Sequence, residues 1–231
     1  MRGHQAEGER GRWGLRVGWS LILVGVVLLG YVAWELWGTN IVAHHEQARV
    51  TASIERQWQA GQDPQVTVGG GLFGGARETV TGLALIRIPR FGSDYVQPIL
   101  QGTGDAVLAA GFGHFPDTAG PGQVGNFALA AHRVTHGEPL RNMPDLRPGD
   151  QVIVETRKAT YTYVLDTGGA DLVVPFTAGW VLDAVPHNPD GGVQPAQTPG
   201  QRLITLTTCS ELFHTDNRMI AFGHLVKTVG R

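Results

Sequence analysis

The sequence predicts a mainly all-β protein that carries one membrane-spanning helix at its N-terminal end. Its 231 residues include 33 glycines and 13 prolines, a composition typical of many turns and short strands. Hydrophobic residues make up 42% of the chain, enough for the core of one globular domain. Lys and Arg number 18 against 20 Asp and Glu, so we expect no nucleic-acid partner.

The N-terminal region holds an uncharged apolar run from Val17 to Trp34, just long enough to cross a bilayer as a helix. Four arginines precede it, at positions 2, 10, 12 and 16, and the next basic residue is Arg49. The positive-inside rule therefore predicts residues 1–16 as a cytoplasmic segment and residues 17–38 as a single-pass anchor. A cleaved signal peptide is the alternative, although its apolar core is usually shorter, ~7–15 residues.

The segment after the anchor, residues 39–78, predicts a stalk. Ile41 to Ala60 has helix-compatible spacing and mixed charge, and a glycine-rich stretch that should not pack tightly follows it. The rest of the chain, residues 79–231, is then an outer domain on the extracellular side.

The outer domain contains short apolar or alternating runs separated by Gly, Pro and Asp, which predict strands. Eight are candidates: residues 83–89, 95–102, 126–133, 151–157, 160–167, 179–185, 202–209 and 218–226. Many short strands with hairpin-length links favour a closed or nearly closed barrel, which leaves no exposed edges.

Three connections in this domain have recognisable patterns. DAVLAAG, residues 105–111, predicts a short helix capped by Asp105, and RPGD, residues 147–150, predicts a turn. The Pro- and Gly-rich stretch 184–201 is too long for a simple turn, and loops of this kind often form groove walls.

The cysteine of this chain, Cys209, ends the predicted strand RLITLTTC. Alternation places Thr205 and Thr207 on its face, with Ile204 and Leu206 on the other. A nucleophile and a small buried hydrophobe are both open interpretations. A nucleophilic thiol needs a base or a cationic neighbour.

Histidines and an arginine supply candidate partners. His132 ends the strand NFALAAH, whereas four of the other eight, at positions 4, 44, 45 and 187, suit a solvated surface. His132 and His136 in HRVTH raise a metal hypothesis, but that spacing needs a helix, which Gly137 and Pro139 oppose. We expect no metal or other cofactor. Arg218 begins the last strand and is either a surface charge or a forked donor to an oxyanion.

These motifs together resemble the sortases. The resemblance rests on TLTTC at 205–209, the strand-end His132 and the strand-opening Arg218. The segments 113–133 and 146–150 are most similar to class E sortases of high-GC Gram-positive bacteria.

The resemblance implies an eight-stranded β-barrel and a cysteine transpeptidase in the cell membrane. It implies catalytic roles for His132, Cys209 and Arg218. It also implies substrate contacts by His114, Phe115, Thr207 and Thr208. Such enzymes cleave a C-terminal sorting signal, LPXTG or in class E typically LAXTG, after Thr through a thioester. They then join the surface protein to a cell-wall amine of a peptidoglycan precursor or cross-bridge.

This chain departs from the class E pattern at three places, and the change after the cysteine keeps a non-catalytic interpretation open. Ser210 and Glu211 follow the cysteine in place of the usual His-Pro, Ala131 replaces a glycine, and Phe115 lacks the hydroxyl of the usual tyrosine. The alternatives are a non-catalytic barrel that binds cell-wall or surface-protein peptides and a plain cysteine peptidase.

Overall fold

The computed structural model describes most of the chain, namely residues 6–34, 39–70, 76–209 and 216–231. Two compact units are present, Met1–Thr39 and Asn40–Arg231. The first contains helix α1, Ala6–Ala33, whose apolar part Trp13–Val32 has a mean hydropathy of 2.0 and no buried residues. This helix is long and apolar enough to cross a membrane, a criterion that a signal sequence also meets.

The second unit is a closed β-barrel with one long helix and one short helix in its described residues. The helices are α2, Thr39–Gln59, and α3, Asp105–Ala110, with single 3-10 turns at Pro89–Phe91, Met143–Asp145 and Gly179–Leu182. The strands are β1 Gln65–Val68, β2 Glu78–Arg87, β3 Gln97–Gln101, β4 Phe112–His114, β5 Gly125–Ala130, β6 Gln151–Glu155, β7 Ala159–Leu165, β8 Leu172–Pro175, β9 Arg202–Cys209 and β10 Asn217–Gly230.

Eight of these strands close a ring in the order β2-β3-β4-β5-β9-β10-β7-β6, and β6 pairs again with β2. Closure satisfies the backbone groups of every ring strand along both edges. Strand β1 adds to β2, and β8 adds to β10 at the point where β10 also pairs with β9. The predicted all-β fold and eight-stranded barrel are confirmed.

Seven of the eight predicted runs are strands, and the run at 179–185 is not. Its apolar residues form the 3-10 turn Gly179–Leu182, in which Val181 is buried against Ile220 and Phe222 of β10. Burial of consecutive apolar residues does not by itself distinguish a strand from a tight turn. Three short strands carried no clear pattern and were missed: β1, β4 and β8.

The predicted short helix and turn are present, with one correction. Helix α3 begins at Asp105, but its N-cap is Gly104 and no side chain caps it. The turn at 147–150 is closed by Asp150, whose carboxylate accepts the Arg147 N–H at 2.9 Å and pairs with Arg90. Gly149 in this turn has a left-handed φ of 91°, which glycine adopts without steric cost.

The barrel interior is filled by inward-facing side chains from the ring strands. Its members are fully or almost fully buried and include Ile86, Ile99, Phe112, Phe127, Leu129, Val152, Tyr163, Ile204, Leu206 and Ala221. A second cluster lies outside β10 under β8 and the turn at 179–182. This second cluster lies beside the functional site, because Val174, Val181 and Ile220 belong both to it and to the groove described below.

The segment predicted as a stalk packs on the barrel where the structure describes it. Val50 and Ile54 of α2 are fully buried against Val66, Val68 and barrel residues. Gly82 of β2 has no side chain, which leaves room for Ile54. The expectation of a loosely packed stretch is therefore wrong for residues 65–68, while residues 71–75 lie outside the described part of the chain.

Candidate active site

One groove of about 440 Å³ brings together the residues that the motifs singled out. Cys209, His132 and Arg218 all line it, together with Thr207 and Thr208. The remaining walls come from α3, from the residues after β4, and from the segment 174–182. The Pro- and Gly-rich stretch 184–201, expected to form a groove wall, contributes no residue to this lining.

Cys209 and Arg218 are held together by strand register. They are direct partners in the antiparallel ladder between β9 and β10. Directly opposed residues project to the same face with Cβ atoms about 4.5–5.5 Å apart. Cys209 is free and partly exposed, as a nucleophile must be. The predicted alternation is also correct, because Ile204 and Leu206 point into the barrel core.

His132 reaches the groove from the end of β5. This strand runs parallel to β9, with Ala130 opposite Thr207, and the Ala131 N–H donates to the Thr207 carbonyl at 3.2 Å. The Thr208 hydroxyl donates to the Ala131 carbonyl at 2.7 Å. These bonds fix the backbone directly before His132 against the strand that ends at Cys209.

The imidazole of His132 lies in an environment that disfavours its charged form. Burial is the largest cause, and His136 adds to it, so that the pKa of His132 falls from 6.5 to about 4. Asp105 opposes this shift with its negative charge. At neutral pH the imidazole is therefore neutral, the form that accepts a proton.

His136 contacts His132 although residues 132–136 form no helix. Their rings stack with centroids 4.9 Å apart and planes inclined by 27°. The loop turns back on itself through left-handed backbone at His136 (φ 54°) and Glu138 (φ 47°), with Gly137 between them. Within the described residues, no group of three or more His, Cys, Asp or Glu could hold a metal ion.

Arg133 is a site residue that the motif analysis did not single out. Its Nε donates to the Cys209 carbonyl at 2.8 Å, which connects the residue after the histidine to the residue of the thiol. A cation directly after a strand-end histidine was the available signal. The pairing of β5 with β9 in the tertiary structure brings Arg133 to the Cys209 carbonyl.

Three of the four predicted substrate contacts line the groove, and His114 does not. Phe115, Thr207 and Thr208 are groove residues. His114 is buried beneath the surface, where its ring bonds Gln101 and the Ala119 carbonyl, and burial lowers its pKa. Residues 114 and 115 are adjacent in an extended segment, so their side chains point to opposite faces.

An exposed aromatic side chain extends the apolar wall of the groove. Phe176 follows β8, is 64% exposed and lines the groove with Leu182 of the 3-10 turn. Phe176 was not predicted as a site residue because β8 itself carries no clear sequence pattern. Ser210 and Glu211, which replace the usual His-Pro after the cysteine, lie outside the described residues.

Comparisons with known proteins agree with this architecture. The sortase domain model matches residues 86–226. Sortase SrtE1 of Streptomyces coelicolor is 35% identical over 91% of this chain, which spans 56% of that protein's length. Sortase SrtE2 of the same organism is 28% identical over 92% of this chain and 81% of its own length.

Solved structures give the same result at the level of the fold. Sortase E from Streptomyces avermitilis has a TM-score of 0.56 and 39% identity, over 64% of this chain and 90% of its own. Sortase E1 from Streptomyces coelicolor, solved with a tripeptide in its active site, has a TM-score of 0.55 and 36% identity, over 65% and 91%. Because the sortase domain model covers residues 86–226, which is more than half of the chain and includes His132, Cys209 and Arg218, the chain belongs to the sortase family.

Proposed function

We propose that this protein is a membrane-anchored class E-type transpeptidase. It cleaves a C-terminal LAXTG or LPXTG sorting signal of surface proteins after Thr and transfers the protein to a cell-wall amine. The observation that carries the proposal is the meeting of Cys209, His132 and Arg218 in one groove. A thiol, an imidazole and a guanidinium on one surface are the groups that acyl transfer through a thioester needs.

The first half of the reaction forms the thioester. Neutral His132 accepts the proton of the Cys209 thiol, and the sulfur attacks the threonine carbonyl carbon. The tetrahedral oxyanion is stabilised by the Arg218 guanidinium, which forms charge-assisted hydrogen bonds. The carbon–nitrogen bond then breaks, and the imidazolium of His132 returns the proton to the departing glycine amine. A pKa of about 4 makes this imidazolium a ready proton donor.

The second half of the reaction transfers the acyl group. An incoming amine attacks the thioester carbonyl and neutral His132 removes its proton. The carbon–sulfur bond breaks and the Cys209 sulfur leaves. Water in place of the amine gives hydrolysis, so exclusion of water from the groove favours the amide product.

The groove walls fit an extended peptide with an apolar end. Phe115, Phe176 and Leu182 offer apolar surface, while Thr207 and Thr208 lie next to Cys209 in β9. We place the anchor at residues 17–38 with residues 1–16 in the cytoplasm. The barrel of residues 79–231 is then extracellular, where sorting signals of exported proteins become accessible.

A quenched fluorescent LAXTG peptide tests this function. The full chain in detergent, supplied with millimolar amine, should cleave the peptide and yield more amide than free acid. Cys209→Ala should reduce cleavage by at least about 1,000-fold, because no other group replaces the nucleophile. Cleavage no faster than that of Cys209→Ala would support the non-catalytic barrel instead. Release of free acid alone would support a peptidase.

A further inference from the structure

Helix α2 lies outside residues 86–226, the range that the sortase domain model matches. It nevertheless contacts the loop that carries His136. The Gln47 Nε2 donates to the His136 carbonyl at 3.0 Å. The Gly137 N–H donates to Asn40 Oδ1 at 2.9 Å, and Asn40 Nδ2 donates to Glu138 Oε1 at 2.7 Å. The helix thereby binds three successive residues of the loop that begins at His132.

Gln47 occupies a position where an apolar side chain would be expected. It lies on the buried stripe of α2 formed with Ala43, Val50 and Ile54, and only 3% of it is exposed. Its Oε1 is buried and has no hydrogen-bond partner among the described residues. An unsatisfied buried acceptor destabilises the folded state, because it loses its hydrogen bonds to water. The hydrogen bond from Gln47 Nε2 to the histidine loop explains why a glutamine occupies this buried position.

The loop needs external contacts because its backbone is unfavourable by itself. His136 and Glu138 both have left-handed φ values, which are sterically unfavourable for residues other than glycine. Gly137 permits the close approach, because a Cβ at that position would overlap the Gln47 amide. Bound in this way, the loop sets the ring of His136 against the ring of His132.

We propose that Gln47 is a positioning residue for the transpeptidase reaction. It holds the His136 carbonyl, and through the stacked ring of His136 it fixes His132 in the groove. Gln47 itself does not line the groove and touches no substrate there. The inference rests on the proposed function, since it requires His132 to act on the substrate.

The pKa of His132 is a measurable quantity that depends on this role of Gln47. The charged groups that act on His132 are His136 on its own loop and Asp105 of α3, while Cys209 of β9 and Arg218 of β10 line the same groove. Burial and His136 lower its pKa, whereas Asp105 raises it. A released loop admits water and moves His136 away, so the pKa of His132 rises toward its usual range.

A second glutamine on α2 provides a matched control. The Gln57 Nε2 donates to the Gln65 carbonyl at 3.0 Å, and its Oε1 accepts the Gln65 N–H at 2.9 Å. Gln57 therefore joins the same helix to strand β1 rather than to the histidine loop. Replacing Gln57 by alanine also weakens the attachment of the helix, but it leaves the contact at His136 unchanged.

The test compares Gln47→Ala, Gln47→Leu and Gln57→Ala in the full chain. Gln47→Leu continues the apolar stripe and keeps the helix packed if the alanine variant does not fold. Histidine resonances followed by NMR against pH give the pKa of His132, and the peptide assay gives kcat and KM. We expect both Gln47 variants to raise this pKa and to lower kcat by about 10-fold with KM little changed. Gln57→Ala should change only the thermal midpoint.

Two results would overturn this role. One is a His132 pKa that is the same in all three variants and the wild type. The other is a kcat that falls equally in the Gln47 and Gln57 variants, which would make Gln47 a packing residue only. If the wild type cleaves no peptide, the proposed function fails, but the NMR titration still decides whether Gln47 controls the surroundings of His132.

Discussion

Two parts of the groove position their functional side chains by different means. Cys209 and Arg218 lie opposite each other in the β9–β10 ladder, so backbone pairing brings them together. His132 lies just beyond β5, at the start of a loop with left-handed backbone, and side-chain bonds from α2 hold that loop. The first arrangement is as rigid as the barrel, whereas the second depends on a few contacts between distant segments.

The difference indicates which properties of the site are open to adjustment. Register in a ladder between two strands cannot change gradually, because a slip of one residue turns every side chain to the other face. A loop held by side chains moves by fractions of an ångström when one contact is lost. We therefore expect the thiol–guanidinium pair to be fixed and the acid–base group to be tunable.

The largest effect in this comparison is expected at Arg218, where a variant can lose catalytic rate without losing stability. Arg218→Lys keeps the positive charge opposite Cys209 but loses the forked pair of donors, so kcat should fall about 100-fold. The thermal midpoint should be unchanged, because the backbone bonds of β10 remain. Peptide cleavage and differential scanning fluorimetry measure the two quantities. A lysine variant with full kcat would show that charge alone is sufficient at this position.

The second prediction uses the pH dependence of stability to probe the loop-held histidine. The pKa of His132 is about 4 in the folded chain and 6.5 in the unfolded chain. Between these pH values the unfolded chain binds a proton at His132 and the folded chain does not. The resulting stability is present above pH 6.5 and is lost as the pH falls toward 4. On a scale of about 1.36 kcal/mol per pKa unit, the loss is about 2–3 kcal/mol.

Urea unfolding of the full chain at pH 7 and pH 4.5 measures this loss, with His132→Gln as the comparison. The variant cannot titrate at this position, so its stability should fall less over the same interval. The contribution of His114, whose pKa burial also lowers, is common to both proteins and cancels. Equal losses in the two proteins would mean that His132 is not desolvated by its loop.

The smallest effect is expected at His224, which lies farther along β10 than Arg218. His224 of β10 forms an exposed contact with Asp166, Nδ1 to Oδ1 at 2.7 Å. His224→Gln should change the free energy of unfolding by less than about 0.5 kcal/mol and leave kcat unaltered. Urea unfolding and the peptide assay provide the measurements. A large effect here would indicate that the ladder transmits changes along β10 to Arg218, against the rigidity inferred above.

The strands with clear alternation, such as β7 and β9, were predictable because their side chains repeat every two residues. The turn at 179–182 was not, because its apolar residues are buried against β8 and against β10, and β10 is remote in sequence. Strand β4 spans only three residues and gives no periodic signal. The role of α2 was missed for a related reason, since mixed charge concealed a buried stripe that only the barrel reveals.

The sequence by itself indicated the barrel class and the apolar N-terminal helix, and through its resemblance to sortases it singled out His132, Cys209 and Arg218 as candidates. The first two features are local, because they depend on periodicity and run length. Only the tertiary structure decided that Arg133 binds the cysteine carbonyl, that His114 lies beneath the groove, and that α2 binds the histidine loop. Such contacts join segments far apart in the chain, and their geometry is set by how the closed ring of strands brings those segments together.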